Sequence, residues 1–313
     1  MNSKIIFIRL TTKCNANCRM CSIWKRKPEH FKYNTLLDIL LFFKSKGYAN
    51  VIFTGGEPTL YPKFTLLNKF LKDNNLNFGL ITNGSTLVDN WDKLFKYKLP
   101  NGIIFSLDSV DDYHSKNRGI KNLTTIVISG IKKAQRMNIK TSINTVITNV
   151  NYKKIIKFSE FDFIEKVDEW HLIPVKFNND LHLTKTQWIE FNTIYNNIKN
   201  KSKIISSFNF KANIDFDNLE REEYTSKFYL KNACRICEKM IFIDINGNIY
   251  RCNSFDNNSD SFCLFGNFKK EDLNKIYTKI KKSPILEKPT CKNCDPRNQL
   301  YNKKGVLFEN WFN

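Results

Sequence analysis

The chain has 313 residues, 42% of them hydrophobic, with 50 Lys and Arg against 30 Asp and Glu and a formal net charge of +20 at pH 7. That length holds one large domain and a small one, and the apolar fraction supplies a core. No apolar run is long enough to span a bilayer, and the N-terminus enters a strand directly without a secretory signal; a membrane-spanning or secreted protein is not expected, and a reducing cytoplasm is. The positive charge is compatible with an acidic partner. The lysines are scattered, however, with only short pairs such as Lys153-Lys154 and Lys281-Lys282, so the charge speaks to solubility more than to nucleic acid.

From Lys4 to Val175 strand and helix patterns alternate. Lys4–Leu10 predicts a strand. It leads into Thr11–Trp24, TTKCNANCRMCSIW, which carries Cys14, Cys18 and Cys21 at C-x3-C-x2-C spacing. Asn34 or Thr35 caps a helix running to Lys46, and Gly47 ends it. Asn50–Thr54 is a short strand followed by Gly55-Gly56-Glu57-Pro58. A helix from Pro62 to about Asn74 has proline in its first turn. Asn77–Thr82 is a strand ending at Asn83-Gly84, and Thr86–Tyr97 a helix. Gly102–Leu107 is a strand ending in Ser106-Leu107-Asp108-Ser109. Leu123–Met137 is helical, Ile139–Ile147 a strand, Asn151–Glu165 helical and Asp168–Val175 the sixth strand.

Six strand-then-helix units predict parallel strands with right-handed crossovers, an α/β partial (βα)6 barrel over residues 1–176. Cys14–Cys21, Gly55–Glu57, Asn83, Ser106, Asp108, Asn144 and His171 gather at the C-terminal ends of the strands, where parallel barrels carry chemistry. Residues 177–226 form a connector with one helix, Lys185–Lys201. A small α+β domain follows over 227–313. In it Met240–Arg251 alternates around Asn246-Gly247, a hairpin signal, ahead of a helix over Lys269–Lys282. Cys234, Cys237, Cys252, Cys263, Cys291 and Cys294 fall within about sixty residues. On spacing alone, that cluster suits a zinc ribbon or an iron–sulfur centre equally.

Nine cysteines clustered in this way, without a secretory signal, point to metal in place of disulfides. Three thiolates on one irregular loop suit a [4Fe–4S] cubane and leave its fourth iron open to a small chelating molecule. Buried free thiols or part of a zinc site are the plainer alternatives.

The cysteine loop after its strand, and Gly55-Gly56-Glu57-Pro58 after the second strand, resemble the radical S-adenosylmethionine (SAM) superfamily, and the likeness covers essentially the whole chain. It implies a cluster on Cys14, Cys18 and Cys21, with SAM chelating the open iron through its amino and carboxylate groups. Met20 then falls beside the adenine, Gly55, Gly56 and Glu57 near the methionine amino group, Ser106 at the ribose or carboxylate region, and Arg118 on the SAM carboxylate. Asn144 and the Leu172–Ile173 backbone complete the shell. Glu57, Asn83, Asp108, Asn144 and His171 are candidates to face substrate. The implied chemistry is reductive cleavage of SAM to a 5′-deoxyadenosyl radical and hydrogen abstraction, fed by a one-electron reductant such as flavodoxin or ferredoxin.

The C-terminal cysteines, with Gly247 and Gly266-Asn267, resemble the SPASM/twitch extension in its shorter form. That implies one auxiliary [4Fe–4S] cluster on Cys234, Cys252, Cys291 and Cys294, with Cys237 as the alternative ligand. Cys263 matches no ligand position; it reads as a small buried residue or, in a radical epimerase, as the hydrogen donor. Asn253 stands where sulfatase-maturing relatives have an aspartate base, so the same serine or cysteine oxidation is not expected. The short length and the missing N-terminal wing favour oxidation or epimerisation of a small natural-product or sugar-type substrate. Maturation of a ribosomally made peptide is the alternative, and a zinc-containing nucleic-acid-binding protein a remote third.

Overall fold

The computed structural model describes residues 4–175, 179–198, 234–252, 263–283 and 312. Cys291, Cys294, Asn253, residues 199–201 of the connector helix and both expected domain boundaries lie outside the described residues.

Six parallel strands lie side by side in chain order: β1 (Ile5–Thr11), β2 (Asn50–Gly55), β3 (Asn77–Thr82), β4 (Gly102–Ser106), β5 (Lys140–Ile147) and β6 (Glu169–Pro174). The crossovers carry α1 (Tyr33–Ser45), α2 (Phe64–Asp73), α3 (Leu87–Leu94), and, between β4 and β5, α4 (Tyr113–Arg118) and α5 (Leu123–Arg136). The strands are largely buried because both sheet faces are covered, β1 to β4 with mostly apolar residues and β5, KTSINTVI, with Thr141, Ser142 and Thr145 buried among them. Ile6, Ile8 and Leu10 of β1 pack into the cluster that includes Leu36, Leu40 and Phe43 of α1. Ile5 and Phe7 point the other way, into a smaller cluster with Ile52 and Ile104. This is the expected (βα)6 arrangement, and it aligns six strand C-termini along one rim.

The strand bounds fall within a residue or two of expectation; the helices differ more. α1 begins at Tyr33, one residue after Lys32, which offers no side-chain cap, so neither Asn34 nor Thr35 is the cap. Pro62 precedes α2, and Pro58–Leu60 forms a separate 3-10 turn capped by Glu57. Asn151–Glu165 is not an α-helix. It is two 3-10 segments, Lys154–Glu160 and Asp162–Lys166, broken at Phe161, whose backbone is extended. The physical reason is competition. The Asn151 amide donates to the carbonyls of Asp108 and Val146, tying the segment's start to β5. Phe158 stacks on Trp170 with ring centroids 4.6 Å apart, and Phe163 is buried in the core, its ring 5.9 Å from that of Phe161. Those anchors do not share one face of a 3.6-residue helix.

β7 (Met240–Ile243) joins β1 in parallel, and β8 (Asn248–Tyr250) and β9 (Leu264–Asn267) continue antiparallel, giving one nine-stranded sheet. The hairpin turns at Gly247, whose φ of +95° is left-handed backbone that favours glycine. α6 (Lys185–Ile198) and α7 (Leu273–Lys281) complete the described elements; Asp272 caps α7 through the Asn274 and Lys275 amides. No described helix is long and apolar enough to cross a membrane.

Candidate functional site: a three-cysteine loop over the strand ends

Thr11 and Thr12 fix the base of the cysteine loop. The Thr11 hydroxyl donates to the Glu29 carbonyl at 2.8 Å and the Thr12 hydroxyl to the Lys27 carbonyl at 2.9 Å. Backbone bonds from Thr12 to Glu29 and from Phe31 to Leu10 close the excursion. Within it the Trp24 indole N–H donates to the Cys18 carbonyl at 3.1 Å, and the Cys21 N–H to the same carbonyl at 3.2 Å. One strand end and one helix end then grip the loop from outside. Gly56 N–H donates to Thr11 O and Glu57 N–H to Lys13 O, both at 2.8 Å; Asn17 N–H donates to Arg118 O at 3.0 Å.

The glycines have a more local reason than the one expected. A Cβ on Gly55 would lie 2.4 Å from Thr11 O, and one on Gly56 would lie 2.3 Å from Lys13 O. Their bareness lets β2 seat against the cysteine loop, whatever else approaches them.

Glu57, expected to face substrate and to lie near the SAM amino group, has a fully buried side chain that does not line the cavity. Its carboxylate accepts from Thr59 N–H and Oγ1–H (3.2 and 2.6 Å), Thr82 Oγ1–H (2.8 Å) and Asn83 N–H (2.7 Å). It ties the end of β2 to the end of β3. Burial pushes its carboxyl above the usual range, and these donors oppose the shift. Glu57→Gln removes an acceptor from a site that has only donors around it. Chemical unfolding should register a loss of about 1–3 kcal/mol.

A cavity of about 510 Å³ opens above the strand ends. Its wall takes Cys14, Cys18, Met20 and Cys21 from the loop, Gly55 and Gly56 from the β2 end, and Ser106, Asn144 and Ile173 from β4, β5 and β6; Arg118 reaches it from α4. Apart from Glu57 and Leu172, the latter buried in the core, the residues expected around the cluster and SAM converge here. Thr54, Ile81 and Val146, not expected from the sequence, also line it. Strand alternation was the available signal: Val146 lies two residues from Asn144 and so shares its face. Trp24, Lys25 and Arg26 line it too, carried by the loop itself.

Asp108 and His171, expected to face substrate, do not. Asp108 is wholly buried, its carboxylate clamping Arg118 Nε (2.9 Å) and Nη2 (3.1 Å). Burial alone would push its carboxyl up; the Arg118 guanidinium overcomes this and holds it well below the usual range. His171 is buried with Nδ1 3.0 Å from Asn144 Oδ1 and Nε2 2.9 Å from Glu169, so its contacts are structural. Asn83 is on the wall, and its amide reaches 3.9 Å from Cys14 Sγ.

The donor set fits an iron–sulfur cluster. Burial pushes the Cys18 thiol up to about 11, against the pull of Arg118, and raises Cys14 as well. Such thiols ionise when a cation takes the proton's place. Among the described residues, no three of His, Cys, Asp and Glu cluster tightly enough to hold one metal ion. A cubane spreads its thiolates over separate corners and needs no such clustering. Loading iron and sulfide should therefore stiffen the loop: the thermal midpoint should rise on reconstitution and fall back on chelation.

Cys234 and Cys252 sit in the apolar cluster of Ile5, Phe7 and Phe242. Cys237 belongs to the cluster on the opposite sheet face and accepts from Arg251 Nη1 at 3.0 Å. The structure thus separates Cys237 from the other two. Cys263 is buried and is absent from the cavity wall, which weighs against the hydrogen-donor expectation.

Residues 8–161 match the family model described as Radical SAM superfamily. The GTP 3′,8-cyclase of Campylobacter jejuni subsp. doylei is 30% identical over 172 residues, 50% of this chain and 52% of that protein. An S-adenosylmethionine-dependent nucleotide dehydratase of a Thermoplasmatales archaeon is 26% identical over 162 residues, 51% of this chain and 57% of that one. The chain thus spans about half the length of these curated relatives. Among solved structures, Streptococcus suis SuiB bound to S-adenosylmethionine covers 96% of this chain and 75% of its own at a TM-score of 0.65 and 19% identity, a likeness of fold. The domain match favours cluster chemistry over the zinc-containing nucleic-acid-binding alternative. Residues 8–161 are thus a radical SAM domain, of the superfamily whose members work with a [4Fe–4S] cluster and S-adenosylmethionine.

Proposed function

We propose that Cys14, Cys18 and Cys21 hold the cluster, that SAM occupies the cavity beside them, and that the chain is an oxidoreductase acting on a small substrate. The observation that carries this reading is the placement of all three thiols on the wall of one cavity roofed over the strand ends. When bound, the cluster and SAM supply a 5′-deoxyadenosyl radical able to take hydrogen from an unactivated C–H bond. The chain's own part is to bind and orient. Met20 offers a flexible apolar surface to the adenine, Ser106 and Asn144 offer polar groups to the ribose and carboxylate region, and Ile81, Val146 and Ile173 exclude water. Arg118 contributes cationic charge from the α4 side. Cys234 and Cys252, sharing one apolar cluster, are paired as ligands of an auxiliary [4Fe–4S] cluster with Cys291 and Cys294, while Cys237 is assigned to the helix side of the sheet. A flavodoxin- or ferredoxin-type protein delivers the electron.

Two curated relatives act, by name, on nucleotides or on GTP, which supports a small-molecule substrate. Oxidation is preferred to epimerisation because Cys263 lies off the cavity wall. Cys263→Ala should leave product formation unchanged; loss of an epimeric product with SAM cleavage retained would restore the epimerase reading. A second reading, peptide maturation, draws on SuiB bound to its precursor peptide SuiA, which covers 88% of this chain at a TM-score of 0.62. Deuterated candidate substrates decide between them. Transfer of deuterium into 5′-deoxyadenosine from a small molecule supports the first reading, and transfer only from a peptide supports the second.

A further inference from the structure

Arg118 is held more tightly than a residue reserved for a ligand's carboxylate needs to be. Arg118 is buried at 7% exposure, and the Nε and Nη2 edge of its guanidinium is taken up by Asp108 in a fork. Asp108 is itself fixed from several sides. Oδ1 accepts from Val146 N–H at 3.2 Å and Oδ2 from the Asn117 amide at 3.1 Å. Its backbone N–H donates to His114 Nδ1 at 3.1 Å. Because Nδ1 accepts that proton, the 3.6 Å separation of His114 Nδ1 from Oδ2 is proximity and not an ion pair. Burial lowers the His114 pKa, consistent with a neutral ring. The fork fixes the plane of the guanidinium, and the nitrogen it leaves over, Nη1, lies 3.8 Å from Cys18 Sγ. The cysteine loop cannot drift from this contact. Asn17 N–H is bonded to Arg118 O, and Gly119, at φ +65°, approaches Asn17 so closely that a Cβ there would overlap its side chain.

We propose that Asp108 is a positioning residue: by clamping Nε and Nη2 it aims Arg118 Nη1 at the Cys18 sulfur, and this N–H···S contact raises the reduction potential of the cluster that Cys18 holds. The proposal rests on the reading of Cys18 as a cluster ligand. The physics is direct. A cationic donor beside a cluster sulfur stabilises the more negative, reduced form, and burial keeps water from screening it. Asp108 carries the opposite charge, but it sits on the far edge of the guanidinium and Nη1 is the nearer group.

The sign of the shift separates positioning from net charge. In Asp108→Asn a negative charge is lost, so charge alone predicts a higher potential, whereas loosening of Arg118 predicts a lower one. In Arg118→Lys the charge is kept, so charge alone predicts no change; loss of the fork and of the Nη1 contact predicts a fall. The experiment is a potentiometric titration of each anaerobically reconstituted protein by electron paramagnetic resonance. It follows the cluster whose signal changes when SAM is added. Iron content at the wild-type level certifies each variant as loaded. A lower potential in both variants is the expected result. An unchanged or higher potential in either loaded variant overturns the proposal. Wild-type protein that assembles no SAM-responsive cluster sinks the ligand reading instead, so the two failures are distinguishable.

Discussion

Alanine in place of Cys14, Cys18 or Cys21 is expected to bring reductive cleavage of SAM to background and to lower iron content by about four atoms per chain. Two thiolates do not retain a cubane that three hold. The loop itself should survive, because its geometry is set by the Thr11, Thr12, Trp24 and Asn17 hydrogen bonds and not by the sulfurs. Stability of the metal-free protein should therefore change by less than about 1 kcal/mol at the exposed Cys21, and by little more at Cys14. Iron analysis, product chromatography and apo-protein unfolding together check this. Cleavage that persists in any of the three variants would place the cluster elsewhere.

The second large effect is expected at Gly56. A methyl group there meets Lys13 O at 2.3 Å and Lys13 C at 2.6 Å, both backbone atoms that cannot rotate away. The loop must shift, and the bonds Gly56 N–H to Thr11 O and Glu57 N–H to Lys13 O lengthen with it. Gly56→Ala should cost about 1–3 kcal/mol through overpacking and should reduce cluster loading, because the displaced strand of chain leads directly to Cys14. Gly47→Ala is the control. It has left-handed backbone at φ +88° but nothing within 4 Å of its Cβ position. It should cost about 1–2 kcal/mol from backbone strain alone and leave SAM cleavage intact. Denaturant titration and the cleavage assay on both variants separate the steric effect from the conformational one.

Most of the sheet was legible because most strands are short apolar runs bounded by polar or glycine residues, and parallel order follows from their alternation with longer connecting segments. Most of the cavity wall was legible for a related reason: in parallel barrels the strand C-termini are where polar residues are free to converge. What escaped depended on contacts distant in sequence. α4 is polar and short, without an apolar period, and exists to present His114, Asn117 and Arg118 inward. Glu57 and Asp108 look like solvent-facing acids at strand ends. Their partners lie across neighbouring strands or one turn away, and the burial that neutralises their apparent role is invisible in one dimension. The two 3-10 segments after β5 carry enough apolar residues for a helix, but Asn151 and the aromatic anchors set a different spacing.

The proposed function requires that one electron cleave SAM in the three-cysteine cavity. The direct measurement is product analysis of protein reconstituted with iron and sulfide, reduced without oxygen and incubated with SAM. The account predicts 5′-deoxyadenosine and methionine in equal amounts, absent when Cys18 is alanine. Intact SAM from a reduced, fully loaded protein would contradict it.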